Sequence, residues 1–93
     1  MSIDYEFVVD MLTRYGKHLV DVQRACQANV RSYQLQKIEL ERLAEKYPER
    51  YLSRLEEITS REANTQTTLD IVNERLDKIP QQVEAINKEF SVA

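Results

Sequence analysis

Tryptophan is absent from this chain, glycine and cysteine occur once each, and proline occurs twice in 93 residues. With Cys26 alone, no internal disulfide can form. With Gly16 alone, a glycine-rich phosphate loop is excluded. His18 is the single histidine and has no Cys or Ser partner at a telling spacing. No His or Cys cluster has metal-ligand spacing, and no Glu-x-x-His pair of the di-metal bundle type occurs. No catalytic residue, metal or cofactor is therefore expected, and the chain reads as a non-enzyme.

Charge of one sign is also lacking. Thirteen basic and 16 acidic residues leave a net charge of -3, which argues against a nucleic-acid partner. Charged residues make up 31% of the chain, no apolar run could span a bilayer, and no membrane partner is expected. Met1–Glu6 has neither the basic start nor the apolar core of a secretory signal, so the expected location is cytoplasmic.

What is present favours helix. Leu, Glu, Gln, Lys, Arg and Ala dominate, and apolar residues recur in alternating steps of three and four. One series runs Tyr5, Val8, Leu12, Tyr15, Leu19, Val22, Cys26, Asn29, Tyr33, Gln36, Leu40, Leu43, Tyr47, and only Asn29 and Gln36 are clearly polar. A second runs Tyr51, Leu55, Ile58, Glu62, Thr65, Leu69, Val72, Leu76, Ile79, Val83, Ile86, Phe90, broken only by Glu62 and Thr65. Each covers about six heptads, the mark of a coiled coil, with arms roughly 60 Å long.

The fold expected is all-α: a single helical domain over 1–93, built as an elongated antiparallel hairpin. Arm one covers about 3–47, the turn 47–50 and arm two 51–79. Proline disfavours helix in the residue before it and suits a first helical turn, so Tyr47 is the corner and Pro48 opens the second arm. Ser53 and Glu56 offer a capping box as a later start. A kinked continuous rod through Pro48 is the competing arrangement, because the steps from Leu43 to Leu55 are all fours. Pro80 suggests a kink or a short third helix over 80–91. In the hairpin, Leu43 opposes Leu55, Gln36 opposes Glu62, Tyr33 opposes Thr65 and Val8 opposes Phe90.

Three constellations stand out. Asn29, Tyr33, Gln36, Glu62 and Thr65 form a polar waist, which sets register and oligomer state or else lines a small-ligand pocket. Lys17, Arg24 and Arg31 make a basic line opposite the seam, either a solvated face or a contact for phosphate or an acidic partner. Lys17 is also placed to pair with Asp21 one turn on. Nine apolar residues, among them Phe7, Met11, Val30, Leu35 and Ile38, fall off the seam. A two-helix pair covers one stripe per helix, so this surplus points to a further interface. Phe7, Met11, Leu35 and Ile38 are the expected interaction strip.

The function expected is that of an interaction protein that self-associates or joins a helical protein, as an assembly factor, a chaperone or an inhibitor by surface occupation. The alternative is an oligomeric binder of a small molecule or nucleotide, using the waist and the basic line.

Overall fold

In a computed structural model, which describes residues 2–91, the chain is two antiparallel helices, α1 over Ser2–Lys46 and α2 over Pro48–Ser91. They form a rod of 70 × 15 × 14 Å. No strand occurs among the described residues. The chain folds back on itself, so the kinked-rod arrangement does not apply.

The corner is tighter than the sequence suggests. Only Tyr47 leaves the helical state, rather than the segment 47–50. The Tyr47 amide donates to the Leu43 carbonyl at 2.8 Å, closing the last turn of α1. The Tyr47 carbonyl accepts from the Arg50 amide at 3.1 Å and the Tyr51 amide at 3.2 Å, starting α2. One residue thus ends one helix and begins the next. Pro48 makes this work: it has no amide to leave orphaned at the first helical position, and it keeps Tyr47 out of the helical region. Lys46 at the end of α1 and Glu49 at the start of α2 complement the two helix dipoles. The Ser53 capping box is not a start, because α2 is already under way there.

Pro80 does not divide α2 either. The helix runs through it to Ser91, and the expected third helix over 80–91 is a continuation of α2. The proline removes one backbone bond, to the Leu76 carbonyl, but its ring lies on the exposed side. Half-buried Leu76, Ile79, Ile86 and Phe90 hold the helix to α1 on both sides of it.

The seam is where sequence and structure part. On α2 the expected series is the buried stripe from Tyr51 to Phe90, with Val83 alone more than a third exposed, at 39%. On α1 the stripe runs Tyr5, Val8, Leu12, Gly16, Leu19, Gln23, Cys26, Val30, Tyr33, Lys37, Leu40, Ala44. Gly16 takes the place expected for Tyr15, Val30 that of Asn29 and Lys37 that of Gln36. Val22 and Leu43 stay half-buried beside the stripe. The reason is pitch. An α-helix has about 3.6 residues per turn, so a contact line must sometimes take two steps of four in succession, as α1 does at Val8, Leu12 and Gly16.

Gly16 serves that line through its size. Its φ is not positive, so backbone freedom is not what it supplies. A Cβ there would lie 3.2 Å from Ile79 Cδ1. At the free ends the Tyr5 and Phe90 rings meet edge to face, with centroids 5.1 Å apart. Phe90 was expected opposite Val8; its ring partner lies one turn closer to the N terminus.

Because Pro80 is exposed and its helix unbroken, Pro80→Ala should stabilise the chain. The expected gain is roughly 1–3 kcal/mol in urea unfolding followed by circular dichroism, with helicity unchanged. A lower midpoint would mean that the proline supports a break which α2 needs.

Candidate interaction surface

A two-helix rod has one interior line and a large exterior. Among the described residues seven apolar ones are buried, Leu19, Cys26, Val30, Ala44, Ile58, Leu69 and Val72, and none of them is below 4% exposure. Outside stand Phe7 at 63%, Met11 at 52%, Leu35 and Ile38 at 65%, Leu52 at 48% and Ile71 at 45%. Val20, one of the off-seam residues, is half-buried, and Val30 belongs to the core.

These exposed residues do not form one strip. Val9 and Thr13 share a hollow with Asn87, and Ile38, Glu41 and Glu45 share another with Leu52. Those residues define a first flank of the rod. Phe7 and Met11 stand two positions either side of Val9, which puts them on the second flank, in line with Tyr15. Ile71, two positions from Asn73, is also on the second flank. Leu35 lies two positions from both Tyr33 and Lys37 of the seam and so points away from α2. Of the expected strip, Phe7 and Met11 are together, Ile38 is on the other flank and Leu35 is on the back.

The polar waist is likewise divided. Tyr33, Glu62 and Thr65 are half-buried, whereas Asn29 and Gln36 are exposed. Gln36 donates to Ser32 Oγ at 3.1 Å, on its own helix. Its expected place opposite Glu62 belongs to Lys37, whose Nζ lies 3.7 Å from Glu62 Oε1. Glu62 Oε2 is buried without a hydrogen-bond partner. Two further polar bridges tie the helices together. Gln23 donates to Asn73 Oδ1 at 2.7 Å, and the Tyr5 hydroxyl donates to Asn87 Oδ1 at 2.8 Å. Neither bridge is visible in apolar periodicity, because Gln23 is a polar member of the stripe and Asn73 and Asn87 flank it on α2. Their signal is the 3.6-residue phase that also brings in Val30.

Lys17, Arg24 and Arg31 are exposed, and none makes an ion pair with another described residue. The expected Lys17–Asp21 pair does not form. Each of the three follows a seam residue directly, in the same relation as Ile38 to Lys37. They line the outer edge of the first flank, not the face opposite the seam. The cause is the same one-residue shift that moved the seam.

Cys26 is a free, buried thiol in the core. No group of His, Cys, Asp or Glu among the described residues could hold a metal ion. No described helix is long and apolar enough to cross a membrane. Compared with protein-family models, curated proteins and solved structures, the chain matches none.

The Lys37–Glu62 pair generates a test of the register. It spends charge in a half-buried place and leaves one oxygen unpaired. Replacing both by Leu should raise the unfolding free energy by about 1–4 kcal/mol. Gln36→Leu should change it by less than about 0.5 kcal/mol, because that side chain is outside. If Gln36→Leu gave the large gain instead, in the same urea titration, the contact line would be the strict heptad.

Proposed function

We propose that the chain is a non-catalytic helical interaction protein. It self-associates and docks on a helical partner, working as an assembly factor, a chaperone or an inhibitor that occupies a surface. One observation carries this reading: a single-layer hairpin in which no described side chain is fully buried, while Phe7, Met11, Leu35, Ile38 and Leu52 stand in solvent. Covering a few hundred Å² of such surface is worth several kcal/mol at about 25 cal/mol per Å². That is a large fraction of the stability available to a chain of this size. A second hairpin, or a helical pair from another protein, supplies the missing layer with ordinary helix-packing geometry. The small-ligand reading draws less support, because Asn29 and Gln36 do not converge with Tyr33, Glu62 and Thr65 on one interior site.

Sedimentation equilibrium at micromolar concentration tests the proposal, together with native mass spectrometry of the protein purified from its host. The expected result is a species heavier than 11.0 kDa. Leu35→Glu with Ile38→Glu should lower the sedimenting mass, and Phe7→Glu with Met11→Glu should remove a protein partner from the species purified from the host, each without loss of helicity. A stable 11.0 kDa species in both measurements, indifferent to both pairs of substitutions, would overturn it.

A further inference from the structure

The first flank carries charge of opposite sign on its two edges. On α1 the outer edge is Lys17, Arg24 and Arg31, followed at the same spacing by Ile38. On α2 the matching edge is set by Asn73 and Asn87, which bridge to α1. Three residues before each, on the same side of the helix, lie Asp70 and Glu84, with Asp77 midway between them. Asp70, Asp77 and Glu84 are all exposed. None makes an ion pair with another described residue; Asp70 accepts only from Gln66 on its own helix. Between the two edges lie Val20, Gln27 and Gln34 of α1 and Gln66, Asn73 and Pro80 of α2. From Val20 to Gln34 the middle of this flank carries no charge; Glu41 follows at the same spacing nearer the corner.

The edges are in step along the rod. Gly16 lies against Ile79, and Gln23 is bonded to Asn73. Lys17 is therefore level with Asp77, and Arg24 with Asp70, to within a turn. On one hairpin these charges sit on opposite edges of the flank. They can meet only between two molecules.

We infer that this flank is the interface with a second copy of the chain, related by a two-fold axis parallel to the rod. The inference rests on the self-association part of the proposed function and specifies its surface and symmetry. Such an axis lays α1 of one copy over α2 of the other at the same height. Lys17 then faces Asp77 of the second copy, Arg24 faces Asp70, and the symmetric contacts repeat both pairs. Both corners lie at the same end. A two-fold axis across the rod would instead lay α1 over α1 and bring the basic edge onto itself, at a cost from like charge. Near the corner the match is lost, since Glu45 and Glu56 both line this flank, and Ile38 and Leu52 supply apolar contact there. The complementary stretch is the middle of the rod, where Lys17 and Arg24 stand level with Asp77 and Asp70; at the free end Asp10, which pairs with Arg14, is level with Glu84. Its pairs are solvated at their outer side, so the dimer weakens as salt rises. Phe7, Met11 and Tyr15, on the second flank, stay outside this dimer and remain available to another protein.

Charge exchange tests the arrangement. Variant one carries Lys17→Glu and Arg24→Glu; variant two carries Asp70→Lys and Asp77→Lys. Each alone should sediment as a monomer at concentrations where the wild type dimerises, with association weakened by about a hundredfold or more. An equimolar mixture should dimerise again, because both of its contacts then pair opposite charges. The chain with all four substitutions should dimerise on its own. Circular dichroism of each variant checks that the hairpin is intact. A wild type that stays monomeric overturns both this inference and self-association. A wild type that dimerises while both variants still do so at unchanged affinity overturns this interface alone. So does a mixture that stays monomeric when each folded variant is monomeric.

Discussion

The contact between α1 and α2 is one stripe per helix, and it has to hold segments of 45 and 44 residues side by side. Among the described residues no third element covers the flanks. Side chains in the stripe are shielded from two sides at most, which is why even Leu19, the least exposed core residue, keeps 4% of its surface. Everything else about the molecule answers to this constraint. Gly16 lets the helices approach where a larger residue would press on Ile79. A polar bridge at Gln23–Asn73 sits beside buried Leu19, Cys26, Leu69 and Val72, and one at Tyr5–Asn87 ties the free ends.

The corner has the opposite character, because there local chemistry decides nearly everything. Pro48 ends α1 through its effect on Tyr47 and starts α2 through its own fixed φ. One residue reverses the chain with no glycine and no left-handed backbone. So short a link leaves the register of the two helices little freedom, and the pairing propagates outward from it. The half-buried Lys37–Glu62 pair, with its unsatisfied oxygen, is a charged interruption of the seam. Polar groups in that position favour one alignment over its neighbours more than they add stability.

The helical class, the corner at Tyr47–Pro48 and the whole stripe of α2 were legible in the sequence, because a strict alternation of three and four happens to fit α2 throughout. The same rule misplaced five of the twelve stripe positions of α1. Asn29 and Gln36 look like polar breaks in a heptad, but Val30 and Lys37 beside them carry the contact. Adjacent residues differ by about 100° around a helix, so the one extra step of four from Leu12 to Gly16 carries alternate members of the line onto the next residue, at Gln23, Val30, Lys37 and Ala44. The error carried into the site. It put Lys17, Arg24 and Arg31 on the back of the rod when they line its flank, and it joined Phe7 and Met11 to Leu35 and Ile38. Pro80 misled in another way: local propensity marks it as a break, but seam contacts on both sides hold the helix straight through it. The bridges at Gln23 and Asn73 could not be read from apolar spacing, because neither residue is apolar.

The central claim is that this hairpin is one layer of a larger assembly, its stability completed by association. Native-state hydrogen exchange at protein concentrations from nanomolar to tens of micromolar measures this most directly, because association raises the free energy of opening by mass action. The account predicts that protection of the slowest amides in both helices grows with concentration. Protection that stayed constant across the range, at a level sufficient for a folded monomer, would contradict it.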